Sequence, residues 1–174
     1  MALGQADCWS PAAHPRDEDW LRQVITDPTD VWALWGSQSV SVPNIVLVCG
    51  YTFDAWSVPH AIGVRGLDRL PDEIAPFVPV AKTPTGRWHL FTAPVLPDET
   101  QTPRIPPDLD ILHLGAGQFV PAPPSTRGAL GHDTWLAEQR RSRLPAWLPV
   151  AAALTKAGEQ LQHRQITRER TTRW

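Results

Sequence analysis

Length, composition and charge place this chain among ordinary globular proteins and exclude several other classes. Its 174 residues suffice for one domain with a substantial core, and 42% apolar against 20% charged residues argues against disorder. No apolar run approaches the roughly eighteen residues of a membrane span. The start MALGQADC lacks the basic and apolar segments of a signal peptide, so we expect a cytoplasmic protein without a membrane partner.

The two cysteines predict neither a zinc site nor a disulfide. Cys8 and Cys49 cannot supply four zinc ligands, and a reducing cytoplasm disfavours a bond between them. Cys49 follows the apolar run Ile45–Val48, where a free cysteine usually behaves as a small buried hydrophobe. We expect that role for it.

The net charge of −2 is unevenly distributed along the chain. From residue 138 onward eight basic residues stand against three acids, giving +5, so residues 1–137 hold the other eight basic and fifteen acidic residues, giving −7. A basic terminal segment can bind phosphates, although such runs are more often solvated surface. The arginines that would contact a nucleic acid are Arg140, Arg141, Arg143, Arg164 and Arg168.

Helical patterns lie mainly towards the two ends of the chain. Residues 17–27 begin with acids and carry apolar residues at helical spacing, and a second short helix is expected up to Gly36. Residues 60–72 predict a third helix, ended by a proline. A C-terminal helix is expected from residue 145 to about 165, with Gly158 as a weak point inside it.

Apolar, β-branched runs bounded by Pro and Gly predict strands in the middle of the chain. The expected strands are 44–50, 53–59, 88–92, 109–112, 118–121 and 130–136, with a short apolar piece at 77–81. Strands in the middle and helices at the ends predict an α/β or α+β domain with one mixed central sheet and a C-terminal helix. We place that domain at residues 1–150 and a basic helix and tail at 151–174.

Three segments, in a fixed order, carry a resemblance to a known family. The first is TPTGRWHLF, a glycine turn followed by a strand with His89; the second is LDI around Asp110; the third is the proline loop VPAPPS. Together they resemble the N-terminal module of bifunctional DNA primase/polymerases, the prim-pol family, most closely its short, degenerate, stand-alone branch. The resemblance covers about residues 8–147 and implies a primase/polymerase-like fold.

The resemblance implies a site in which two metal ions are held by paired carboxylates. The positions that match the acid pair are Ser57 and Pro59, and neither can serve as a carboxylate ligand. Asp54 is nearby, but it lies three residues before Ser57 and faces the other side of an extended strand. Asp110 matches the third carboxylate. Asp108 would share its strand face, and this pair is the weak candidate for binding Mg²⁺ or Mn²⁺.

The same resemblance implies that His89 contacts the phosphates of a nucleotide. The family usually has two glycines before this histidine; here Gly86 is present and Arg87 replaces the second, where it would crowd a phosphate or contact it. The predicted nucleotide-binding residues are therefore Gly86, Arg87, His89 and Asp110. Without the family context, a strand histidine is more often a packing residue, and Asp110 could simply cap a turn.

Three functions follow, in order of preference. The first is a prim-pol-like domain without polymerase activity that binds a nucleotide or single-stranded nucleic acid, in a regulatory role. The second is a protein-interaction or self-association module on the same scaffold, suggested by nine tryptophans and proline-rich loops. The third is residual polymerase activity with Mg²⁺ or Mn²⁺ through Asp54, Asp108 and Asp110; otherwise no cofactor is expected. Neither a Gly-x-Ser-x-Gly motif nor a P-loop occurs.

Overall fold

The structure, a computed structural model, describes residues 20–36, 44–96, 105–137 and 143–171. The α-helices in these ranges are α1 (Pro28–Gly36), α2 (His60–Leu67) and α3 (Trp147–Thr171). The strands are β1 (Ile45–Val48), β2 (Asp54–Pro59), β3 (Val80–Lys82), β4 (Arg87–Thr92), β5 (Leu112–Leu114), β6 (Phe119–Ala122) and β7 (Thr134–Ala137). The predicted mixed class of helices and strands, with a helix at the C-terminal end, is confirmed.

The strands form two sheets rather than the one mixed sheet that we expected. Five strands pair in the order β5-β2-β4-β3-β7, and β1 pairs separately with β6. All strand pairs in the described ranges are antiparallel. The short turn between β3 and β4 explains part of this arrangement, because a tight turn can only return the chain antiparallel.

The five-stranded sheet has a different layer on each of its faces. One face carries Trp56 and Val58 of β2 and Leu90 of β4, which are buried with apolar residues of α2 and α3. The other face carries Ala55 and Phe91, which form a second buried cluster together with residues of β3 and of the β1–β6 pair. Helices therefore cover one face of the sheet, and the two-stranded ladder packs against the other.

Helix α3 begins inside the core. Trp147, Val150 and Leu154 are buried, and the ring of Trp147 stacks 6.4 Å from that of Trp56. The helix runs without a break through residues 150 and 151, where we had placed the end of the domain. Residues 163–168 are exposed, so the first half of α3 completes the core and the second half faces solvent.

Two expected helices are shorter than their sequence patterns indicated. The helix expected over residues 60–72 ends at Leu67 and continues as hydrogen-bonded turns. Of the helix expected over residues 17–27, residues 20–27 lie in the described ranges, and among them only Trp20–Gln23 form a helical turn, of the 3₁₀ type. Cys8 lies outside the described residues. Cys49 is free and buried, and burial raises the pKa of its thiol to about 12. None of the described helices combines the length and apolarity needed to cross a bilayer.

Candidate functional site

The turn before β4 holds the first residues of that strand in place. Thr83 N donates to the Arg87 carbonyl over 2.8 Å, and Arg87 N donates to Thr83 Oγ1 over 3.0 Å. Gly86 has a φ of +82°, in the left-handed region that favours glycine. His60 N, at the start of α2, donates to the Gly86 carbonyl over 3.0 Å. The predicted site residue Gly86 thus fixes the point from which Arg87 extends.

Arg87 connects β4 to both β2 and the segment before β5. Its Nε donates to Ser57 Oγ over 2.9 Å, and its Nη2 donates to the Ser57 carbonyl over 2.9 Å. Nη1 donates to Asp110 Oδ2 over 2.7 Å, and Nη2 also donates to the Asp110 carbonyl over 3.1 Å. The Arg87 side chain is 27% exposed and that of Asp110 is 59% exposed, so solvent reaches this ion pair.

His89 lies two residues further along β4 and is buried. It pairs with Ser57 on β2 and with Ala81 on β3, and its Nδ1 has no hydrogen-bond partner among the described residues. Burial, together with the charges of Arg127 and Arg87, lowers the pKa of His89 from 6.5 to about 4. The ring is therefore neutral at physiological pH. An unpaired buried nitrogen calls for an explanation, such as a water or a ligand that completes it.

A second arginine, which the sequence analysis did not identify, lies near His89. Arg127 Nε donates to Asp133 Oδ1 over 3.1 Å, and both side chains are largely buried. Burial raises the pKa of Asp133, against the opposing effect of Arg127. No local sequence pattern indicates this pair, because its importance depends on the loop folding back beside β4.

The predicted pair of acids at 108 and 110 does not lie on one strand. Residues Pro107–Leu109 form a 3₁₀ turn, and Asp110 follows with a left-handed backbone, φ 52° and ψ 37°. Asp108 instead accepts a hydrogen bond from Gln162 of α3. The strand prediction for 109–112 is wrong because consecutive prolines preset the backbone for a tight helical turn; β5 begins only at Leu112.

The oxygen atoms of Ser57 and Asp110 that contact Arg87 are engaged with its guanidinium. Ser57 Oγ accepts from the guanidinium, Pro59 has no side-chain donor atom, and the Asp110 carboxylate is paired with Arg87. Hard cations require several oxygen ligands at once. In the parts of the chain that the structure describes, no group of three or more His, Cys, Asp or Glu side chains is arranged to hold a metal.

Asp54 lies on the opposite face of β2 from Ser57, as predicted from their spacing. It is buried, accepts a hydrogen bond from Val95 N over 2.8 Å, and its Oδ2 lies 2.7 Å from Nε2 of His113. The His113 ring stacks on Trp56 with centroids 4.6 Å apart. The sequence analysis identified no role for His113, since only strand pairing brings it to Asp54.

Three of the arginines predicted to bind nucleic acid lie in or just before α3. Arg143 is exposed just before the helix, and Arg164 and Arg168 are exposed in its second half. Arg140 and Arg141 lie outside the described residues. The hydrogen bond between Gln162 and Asp108 anchors α3 beside the turn that leads to Asp110. Gln162 lies two residues before Arg164.

Comparisons with curated proteins and with solved structures gave no match. The family model described as "Bifunctional DNA primase/polymerase, N-terminal" matches residues 6–149. Since this match covers most of the 174 residues, the chain belongs to the family of bifunctional DNA primase/polymerase N-terminal domains.

Proposed function

We propose that this chain binds the phosphates of a nucleotide, or of single-stranded nucleic acid, on the face of β4 that carries Arg87 and His89. The observation that carries the proposal is the alternation on this strand. It puts a partly exposed guanidinium and a neutral imidazole with an unpaired Nδ1 on one face. Guanidinium groups bind phosphate oxygens by charge-assisted hydrogen bonds, and a neutral imidazole that carries its proton on Nδ1 can donate one further bond from that atom.

The proposed role is binding or regulation rather than polymerisation. The residues paired with His89 and Arg87 on β2 are Ser57 and Pro59, the positions that match the family's acid pair. Two-metal phosphoryl transfer depends on cations that neutralise developing charge, an effect worth roughly several kcal/mol of the barrier. Because a hydroxyl and a proline stand at these positions, nucleotidyl transfer should fall by orders of magnitude.

Single-stranded nucleic acid suits the same face and the exposed half of α3. Binding to phosphates along a strand requires positive charges spread over more than one point. Arg87 provides one point, and Arg164 and Arg168 provide others beyond the hydrogen bond that ties α3 to Asp108.

Titration with dATP and with a short single-stranded oligonucleotide, in Mg²⁺ and in EDTA, tests the proposal. We expect the wild type to bind in EDTA and the Arg87→Ala variant to bind much more weakly. Arg22→Ala, which removes an exposed arginine distant from Arg87 in the sequence, should bind as the wild type does. Absence of binding at millimolar nucleotide and low salt would contradict the proposal. Primer extension in Mn²⁺ that is lost in Asp110→Asn would contradict its non-catalytic part.

A protein-interaction or self-association role is the second candidate. Trp32 and Tyr51 are 72% and 70% exposed, and Leu130 is 64% exposed. Exposed aromatic residues are frequent anchors of protein interfaces. Light scattering tests self-association: a dimer whose mass falls to that of a monomer in Trp32→Ser supports it. A monomer at all concentrations contradicts it.

A further inference from the structure

We infer that Asp110 is an internal competitor of the ligand: its carboxylate occupies the Arg87 guanidinium in the free protein, and an incoming phosphate displaces it. The inference rests on the proposed phosphate binding at Arg87 and concerns how that binding is controlled. It assigns to Asp110 a role opposite to that of a metal ligand. A competitor weakens binding, whereas a metal ligand strengthens it.

The two halves of the Arg87 interaction differ in exposure. Ser57 is 3% exposed, and its hydroxyl and carbonyl hold Nε and Nη2 from the buried side. Asp110 holds Nη1 and Nη2 from the solvent side, with its side chain 59% exposed. The Ser57 contacts therefore fix the guanidinium, and the exposed Asp110 contact is the exchangeable one, since exposed ion pairs contribute little to stability.

The atoms bound by Asp110 are the ones that a phosphate would use. Nη1 and Nη2 together form the edge of the guanidinium that binds two oxygens of one anion. Asp110 presents its carboxylate and its backbone carbonyl to this edge at the same time. Its left-handed backbone, with φ 52°, is uncommon for a residue with a side chain, although Asp tolerates it better than most.

The inference also defines the class of ligand. An anion can replace Asp110 only if it offers at least two oxygens and more negative charge than a carboxylate. Terminal phosphates of a nucleoside triphosphate meet this condition. The carboxylate of Asp110 stays close to the bound phosphate and repels it. A weakly charged anion is therefore readily released from the wild-type site.

The test compares three single variants by calorimetric titration with inorganic triphosphate and with dATP, both in EDTA. Asp110→Asn keeps the side-chain shape, tolerates the left-handed backbone and removes the charge. We expect it to bind both probes about two- to fivefold more tightly than the wild type, the range that corresponds to an exposed ion pair. Asp110→Gly suits the positive φ equally well and should show a similar gain. Asp72→Asn removes another exposed acid and should change nothing.

The outcomes separate this inference from the proposed function. Tighter binding in both Asp110 variants, lost when Arg87→Ala is added, supports the inference. Binding that is equal to or weaker than that of the wild type overturns it and leaves the phosphate site at Arg87 in place. Absence of binding in the wild type and in all variants overturns both. Thermal unfolding of each variant establishes that the protein compared is folded.

Discussion

His89 is a buried residue for which we propose a binding role. The sequence left two roles open for it, a packing histidine or a contact to phosphates. The structure buries it between Ser57 and Ala81 on the neighbouring strands, yet leaves Nδ1 without a partner among the described residues. Packing alone would favour an apolar residue here, because an unpaired buried nitrogen destabilises the fold. The positive charges of Arg87 and Arg127, which act on His89, support the proposed contact with a phosphate.

The lowered pKa of His89 predicts a specific loss of stability in acid. The unfolded chain takes up a proton at this residue near pH 6.5, whereas the folded chain does so only near pH 4. The stability contributed by the neutral ring is therefore fully present above pH 6.5 and is lost as the pH falls from 6.5 to about 4. The difference corresponds to about 3 kcal/mol.

Denaturant unfolding of the wild type and of His89→Gln between pH 4 and 7.5 measures this effect. Carboxylates affect both proteins alike, so the difference between the two curves isolates His89. We expect the free energy of unfolding of His89→Gln to fall less steeply than that of the wild type in this range. His132→Gln, which removes an exposed imidazole, serves as the control. Parallel curves for the wild type and His89→Gln would contradict the prediction.

Asp54 provides a residue-scale contrast to the candidate site. Its carboxylate is buried and bonded to Val95 N and His113 on the face of β2 away from Ser57. Asp54→Ala should cost about 2 kcal/mol of unfolding free energy, the typical effect of losing hydrogen bonds to a charged group. Binding of dATP to the folded variant should be unchanged. A stable variant with impaired binding would instead place Asp54 in the ligand site and revive the role of this acid in catalysis.

At the scale of the elements, the patterns that were read correctly are those with strong local signals. The ends of β1, β2 and β4 lie within two residues of the runs that predicted them, since each run is apolar and bounded by Pro, Gly or a turn. The strand at 109–112 was misplaced because the prolines before it begin a 3₁₀ turn and Asp110 then adopts a left-handed backbone, so that β5 begins only at Leu112. β3 has only three residues, too few for a periodic signal.

Only part of the candidate site could be predicted from the sequence, because some of its contacts depend on how distant segments pair. Gly86, Arg87, His89 and Asp110 were named from the motif, but the hydrogen bonds from Arg87 to Ser57 depend on strand register. Register is set by the packing of whole faces and by turns, which a single segment does not encode. The Arg127–Asp133 pair lies in a loop, where even this indirect signal is absent.

The close packing of α2 on α3 depends on a glycine. A Cβ at Gly66 would lie 2.6 Å from Cδ2 of Leu154, which is fully buried and cannot easily move away. Gly66→Ala should therefore destabilise the protein by about 1–3 kcal/mol, the usual cost of overpacking. That cost exceeds the gain of about 1 kcal/mol in helix propensity. Denaturant unfolding measures the change.

Gly158 on α3 is a less crowded position with which Gly66 can be compared. A Cβ there would lie 3.1 Å from Leu109 Cδ1, a tight distance but one that a small shift can relieve. Gly158, which we expected to weaken the helix, thus makes room for the side chain of Leu109. Gly158→Ala should lose less stability than Gly66→Ala. Equal stability of Gly66→Ala and wild type would show that the α2–α3 contact is looser than the structure indicates.

At the scale of the whole molecule, the two faces of the central sheet carry different residues and have different neighbours. Helices α2 and α3 bury one face of β2 and β4, which supplies most of the core. The other face carries Arg87 and His89 at one end and the apolar cluster under the β1–β6 ladder at the other. Residues at the Arg87 end of this face can therefore be substituted with little effect on the larger core.

This division predicts different outcomes for two C-terminal truncations. Removing residues 151–174 deletes Ala151, Leu154 and Ala157, all fully buried, and should leave no folded protein. Removing residues 163–174 deletes the exposed positions 163–168 and none of the buried residues of the core, and it keeps the hydrogen bond of Gln162 to Asp108. Its unfolding free energy should change by less than about 1 kcal/mol.

The shorter truncation also separates the two proposed ligands. It removes four arginines and one glutamate, so binding to a single-stranded oligonucleotide should weaken and depend less on salt. Binding of dATP should stay the same, because Arg87 and His89 are untouched. Filter binding at several salt concentrations measures the first effect and calorimetry the second. If oligonucleotide affinity and salt dependence do not change, the basic end of α3 is solvated surface, and the β4 face alone meets the ligand.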